Sequence, residues 1–196
     1  MPIENLPKYL QDNYLLREWR HATAVLETDF PDEWGEIITV LTGFKLFKSE
    51  IVKSGGNKSL IAERFDNHFR KFGWQEKSFN TGIIVDGIER DSPTHKVDNY
   101  KNRIAVEVEW NNKDPFYDRD LNNFRLLFDL NVISVGIIIT RCDELQHIFN
   151  GLDKGSSYGN STTHWSKLLP RLEGGSGGGC PVLAFGISGR LYDENA

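Results

Sequence analysis

An α/β fold, with a central mixed sheet flanked by helices, is predicted by three features of this sequence. Apolar side chains recur at helical intervals through the first 75 residues. Residues 103–110 alternate with a period of two. From residue 118 onward, helical segments alternate with apolar, β-branched runs. Elements arranged in this order bury a sheet between helices.

Taken in order, LREWRHATAVLE (residues 16–27) has helical spacing through Trp19, Ala22 and Leu26. Asp29 ahead of Pro31 marks the start of a second helix, DEWGEIITVL, because proline suits the first helical position. A break follows at SGGNK. Ser59 then caps a helix that carries Ile61, Phe65, Phe69 and Phe72 and ends at Gly73. Here the period changes. GIIVDG and RIAVEVEW read as strands, joined through DSPTH and a short turn at NYKN. DRDLNNFRLLFDL is a helix with Asp118 near its start, and the unbroken apolar run ISVGIIIT suits a strand covered on both faces. DELQHIFNGL is a short helix, GSSYGNSTTH a polar loop, GGSGGG a glycine-rich loop and PVLAFGI a last buried strand. Only 17 residues follow the glycine run, too few for a second domain, so residues 1–196 read as one domain.

Composition removes several classes of function. Five tryptophans in 196 residues argue for a packed core. No apolar run approaches the roughly 18 residues needed to cross a bilayer, and MPIENLPKYL lacks a secretory pattern. A cytoplasmic protein with no membrane partner is expected. Cys142 and Cys180 have no CxxC spacing and read as buried thiols in a reducing compartment. The five histidines form no HxxxH or HExxH pattern, and there is no Walker A loop, GxSxG elbow or dinucleotide fingerprint. The net charge of −5 does not favour a nucleic-acid partner as a sum, but it is unevenly spread. The first 36 residues are acidic, whereas Lys45, Lys48, Lys53, Lys58, Arg64, Arg70, Lys71 and Lys77 outnumber the acids around them. A basic surface and a solvated mixed-charge helix both fit that pattern.

The chemistry concentrates in KVDNYKNRIAVEVEW. Along a strand from Arg103 to Trp110, Glu107 and Glu109 share one face, about 6–7 Å apart by the two-residue rise. Asp98 lies before the turn into that strand, close enough to come beside Glu107 if its neighbours pair with it. Carboxylates on one face repel, and a hard divalent cation such as Mg²⁺ offsets that repulsion through oxygen ligation. The same ion can polarise a phosphoryl oxygen and acidify a bound water, which Glu109 would then orient or deprotonate. An edge strand with a solvated face is the alternative, and Asp86 in IIVDG competes with Asp98 as the upstream acid. Glu36 and Glu63 are further acids on helices that could face the site.

These residues resemble type II restriction endonucleases of the PD-(D/E)XK superfamily, within them the BglII/BstYI group. That group carries an Asp, eight intervening residues and Glu-x-Gln on a strand. Asp98 and Glu107 keep this spacing, KNRIAVEVEW is similar to the group's strand, and Glu109 stands in place of Gln. BamHI-like members have Glu-x-Glu, and more typical ones have Lys at that position. The resemblance is densest from Val97 to Arg141 and extends more loosely to YGNSTTHW and GGCPVLAFGI. It implies a restriction-endonuclease-like core in which Asp98, Glu107 and Glu109 are catalytic, and in which Asp98, Glu107 and the Val108 carbonyl bind Mg²⁺. It implies a homodimer that cuts a short palindromic site in double-stranded DNA, with a cognate DNA methyltransferase as its system partner. Residues 1–75 would then supply dimer contacts and residues 80–196 the catalytic and DNA-recognition core. A repair or structure-specific nuclease of the same fold, or a DNA-binding module without catalysis, are the alternatives.

DNA contacts are expected from Asn111, Asn112 and Lys113 after the strand and from the polar loop. Asn amides pair well with adenine edges, although Asn-Asn is equally a turn pair. In the loop, Asn160, Ser161 and Thr162 are candidates for base edges and Tyr158 and His164 for phosphates, with Lys154 and Lys167 flanking. GGSGGG would permit close backbone approach, and Arg190 is a last candidate contact.

Overall fold

A computed structural model of the protein describes residues 3–53, 59–91 and 94–195. The expected break at SGGNK lies outside the described residues. The N-terminal part comprises α1 (Lys8–Asn13), β1 (Tyr14–Trp19), α2 (Ala22–Asp29), α3 (Pro31–Thr42), β2 (Leu46–Phe47), α4 (Lys48–Val52) and α5 (Leu60–Arg70). There follow β3 (Gln75–Lys77), β4 (Gly82–Val85), β5 (Ile88–Asp91), β6 (Val97–Lys101), β7 (Ile104–Glu109) and α6 (Phe116–Asp129). The chain ends with β8 (Val135–Arg141), α7 (Leu145–Gly151), α8 (Trp165–Glu173), β9 (Val182–Ile187) and β10 (Tyr192–Asp193).

Six strands form a mixed sheet in the order β1-β9-β8-β7-β6-β3. The central β7, β8 and β9 run parallel, and β1, β6 and β3 are antiparallel to their neighbours. The period-two pattern of β7 holds. Ile104, Val106, Val108 and Trp110 pack with Ile37 and Phe65 of the N-terminal helices, while Ala105 faces Leu121 and Phe124 of α6 and Leu168 of α8. The sheet is therefore covered on both faces, and β7 is buried throughout. A solvated edge strand, one of the two readings of Glu107 and Glu109, is not what the chain forms. Gly136 on β8 is needed for this layering, since a Cβ there would sit 2.3 Å from the Phe124 ring.

The capped helix is as expected: Ser59 accepts from the Ala62 N–H at 3.1 Å. Three readings require correction. Residues 14–19 are an edge strand paired with β9, and the helix begins only at Ala22. Arg20 and His21 both take left-handed conformations (φ 54° and 58°), and helical spacing across such a turn is coincidental. GIIVDG is a strand, but it pairs with β5 in a separate two-stranded hairpin rather than in the main sheet. NYKN is not itself a turn. Asn99–Lys101 continue β6, and the reversal falls at Asn102 and Arg103, both at positive φ. WSKLLPRLE, unread in the sequence, is α8. Among the described residues no helix is long and apolar enough to cross a membrane.

Candidate active site

Antiparallel pairing of β6 with β7 sets Asn99 opposite Val106, so one step further Asp98 stands opposite Glu107. Directly opposed residues project to the same face, which here is the α6 face. Each carboxylate is held by the other strand's backbone. The Asp98 N–H donates to Glu107 Oε2 and the Val108 N–H donates to Asp98 Oδ2, both at 3.3 Å. Glu107 is 1% exposed, and its Oε1 has no partner. An unpaired carboxylate oxygen in such a place is costly unless a proton or a cation meets it.

Glu109, at the end of β7, is gripped from the chain that follows it. Asn112 Nδ2 donates to its Oε2 at 2.9 Å, and Arg119 Nη2 approaches its Oε1 at 3.5 Å. Arg119 also binds Asp120 through Nε and Nη2, at 2.8 and 2.7 Å. Asp120 is as buried as the two glutamates, and its Oδ2 meets no nitrogen or hydroxyl donor. Asp120 and Glu109 thus contact one guanidinium, and Glu107 acts on it from further off. Burial, then Asp120, Asp98 and Glu109, push the Glu107 carboxyl well above the ordinary range. Burial and Asp120 push Glu109 up to about 9, against the pull of Asn112 and Arg119, and the retained proton is donated to Asp120. Burial likewise raises Asp120 to about 6 despite Arg119.

Among the described residues, no three His, Cys, Asp or Glu side chains form a ready-made metal cluster. The donor set expected for an ion is smaller: two carboxylates and one carbonyl. In a strand, the N–H and C=O of one residue point to the same neighbour. The Val108 carbonyl therefore lies on the side where its N–H meets Asp98. Hard oxygen donors, an unpartnered buried oxygen on Glu107 and excess negative charge fit a Mg²⁺ ion that keeps several waters.

The site opens into a cleft of about 650 Å³, lined among others by Glu50, Lys53, Asp98, Glu109, Arg119 and Lys154. Asn111, Asn112 and Tyr158 also line it. The segment after β7 and the polar loop are joined into one surface. Thr163 N donates to Asn112 O at 2.8 Å, Asp114 N donates to Ser161 O at 3.0 Å, and Lys113 forms a bridge with Thr162. Lys113, Asn160 and Ser161 are exposed there.

Other candidates are placed differently. Tyr158 is buried, its ring stacked on Phe149 at 4.0 Å. His164 is buried as well; its Nδ1 contacts Thr162 O at 2.7 Å, and Nε2 lies 3.5 Å from Asp143. Lys167 lies 3.8 Å from Asp114, and Arg190 donates to Asp12 O, outside the cleft. Glu36 is bound to Lys101 and Trp74, and Glu63 is exposed on α5. Asp86 is an exposed turn residue of the β4–β5 hairpin, which leaves Asp98 as the acid facing Glu107. The glycine-rich loop packs under α6, with Gly178 against Arg125, at the opposite end of β9 from the cleft.

Asp120 and Arg119 escaped the sequence reading. The signal was present: the buried face of α6 runs Tyr117, Asp120, Leu121, Asn123, Phe124 and Leu127. An acid within an apolar helical stripe calls for a partner. The family model described as restriction endonuclease BglII/BglIII matches residues 14–187 of the 196, well beyond the segment where the resemblance was densest. Comparison with curated proteins finds no match.

Proposed function

Because the chain belongs to the restriction endonuclease BglII/BglIII family, and is therefore a site-specific deoxyribonuclease acting on double-stranded DNA, we propose that Asp98, Glu107 and Glu109 hydrolyse the phosphodiester bond with Mg²⁺. The observation that carries this reading is the opposed Asp98–Glu107 pair, with a buried, unpartnered Glu107 Oε1 behind the cleft that Asp98 and Glu109 line. Asp98, Glu107 and the Val108 carbonyl would hold the ion. Bound there, it supplies a positive charge for the phosphoryl oxygens and a more acidic water.

The remaining steps belong to the chain itself. Glu109 stands two residues beyond Glu107 on the same face and orients the water whose oxygen attacks phosphorus as the P–O bond to the leaving sugar breaks. Asn112 and Arg119 fix the Glu109 carboxyl in place, and orientation of this kind accounts for a large part of enzymatic rate. Asp120 accepts the hydrogen bond that Glu109 donates when protonated and anchors Arg119 from behind. Asn111, Asn112, Lys113 and the loop from Tyr158 to His164 contact the DNA. Exposed Lys113 serves phosphates, and Asn160 and Ser161 serve base edges. A short palindromic site would be met by a homodimer, because two-fold symmetry in the DNA mirrors that of the protein. The N-terminal helices are the proposed contact, and a cognate methyltransferase would protect the host's own sites.

The test is to incubate purified protein with mixed-sequence DNA and Mg²⁺ and to sequence the ends. A single recurring palindrome at the cuts is expected. DNA binding without cleavage under any divalent metal would refute the catalytic reading.

A further inference from the structure

Beneath the polar loop lies an arginine without a counter-ion. Arg141, the last residue of β8, is 1% exposed. Its Nη2 donates to the Tyr158 carbonyl and to Thr162 Oγ1, both at 2.9 Å, and Thr162 passes its own hydroxyl proton to Gly159 O at 2.8 Å. Both partners are uncharged, and its Nε has no partner. The guanidinium carbon stands 5.4 Å from the Phe149 ring and 5.8 Å from that of Tyr158, in a nest completed by Trp110. Burial outweighs the distant attraction of Tyr117, Asp143 and Tyr158 and pulls its pKa below the usual value for arginine.

A cation buried without a carboxylate is a poor stabiliser of a fold, and an apolar side chain of similar volume often serves as well or better. What the guanidinium does uniquely here is tie two points of one loop, four residues apart, to the end of a central strand. That loop is the one stitched to Asn112 and Asp114, with Asn160 and Ser161 exposed between the tied residues. We infer that Arg141 is a specificity-determining positioning residue, which fixes the loop from Tyr158 to Thr162 in the shape that reads the DNA sequence. This inference rests on the reading of that loop as a DNA contact.

The test compares wild type with Arg141→Met and Arg141→Lys. The cleavage site is taken from the mapped ends. Two quantities are then measured: the ratio of kcat/KM on that site to kcat/KM on a site with one base pair changed, and Tm. One base pair commonly carries a discrimination of about 5- to 150-fold. Arg141→Met is expected to lower the ratio at least about tenfold, with Tm within about 3 °C of wild type because the lost hydrogen bonds are offset by removal of the buried charge. Arg141→Lys, which keeps the charge and loses the planar fork, is expected to lower it also. A ratio retained within about threefold in Arg141→Met overturns the inference, as does a large fall in Tm with discrimination intact. If Arg141→Met fails to fold, the lysine variant decides by the same ratio. A wild-type enzyme with no sequence preference would instead remove the reading on which the inference stands.

Discussion

Two neighbouring strands each end in a buried charge problem, and the two problems are opposite in sign. At the end of β7, Glu107, Glu109 and Asp120 crowd around one guanidinium. At the end of β8, Arg141 is buried with no carboxylate among its hydrogen-bond partners. In-register pairing sets Glu109 beside Thr140, so Glu109 and Arg141 fall on opposite faces of the sheet and cannot neutralise each other. Arrangements that cost folding free energy persist where something other than folding uses them. On the proposed roles, the first binds a cation and the second shapes a loop. On those roles, the catalytic carboxylates and the arginine that shapes the recognition loop lie on opposite faces of one sheet.

The largest test of this contrast is Glu107→Ala. Removing the innermost carboxylate is expected to lower the cleavage rate at least about 1,000-fold, or about 4 kcal/mol in the barrier, while DNA binding at low salt is kept. A rate-only loss, measured by single-turnover cleavage and filter binding, marks the β7 end as chemical. Next is Arg119→Ala. Glu109 then loses its charged donor, and kcat is expected to fall about 100-fold with KM little changed. A KM effect alone would move Arg119 to the recognition side.

The carboxylate end also has a pH signature. Folding raises Glu109 from 4.5 to about 9 and Asp120 from 3.8 to about 6. The folded protein holds protons that the unfolded chain has released. Metal-free stability is therefore fully present below about pH 4 and falls as pH rises toward 9. Thermal melts across this range should show that decline, and Mg²⁺ should reverse it with release of protons. A flat metal-free profile would contradict the burial of these acids. The smallest effect belongs to Lys113→Ala. Loss of one phosphate contact should weaken binding to all sequences alike and reduce the slope of log K against log salt by about 0.9. A change in sequence preference would instead place Lys113 among the base-reading groups.

What the sequence made legible was local. Ser59 caps its own helix, and alternation from Ile104 to Glu109 follows from the pleat, so the Glu107–Glu109 face was readable before any contact was known. The Asp98 pairing needed only a turn between adjacent strands, and its spacing to Glu107 carried the rest. Long-range partners were not legible. β1 pairs with β9, more than 160 residues away, and its charged pair Arg17 and Glu18 lets it pass for the polar face of a helix. Asp120 reaches Glu109 only because α6 folds back over the sheet. Arg141 closes an unbroken apolar run, where nothing in the neighbouring residues announces an uncompensated charge.

Asn112 spans the two regions. Its side chain donates to Glu109, and its carbonyl receives the N–H of Thr163. On the proposed roles, reading and cutting would therefore not be modular in this protein. A segment spanning residues 155–163, exchanged to redirect the enzyme to a new sequence, would pull on the residue that holds Glu109. Engineered or naturally drifting loops would pay in turnover for each gain in target range, and compensating changes should surface at Asn112 before they surface anywhere in the loop itself.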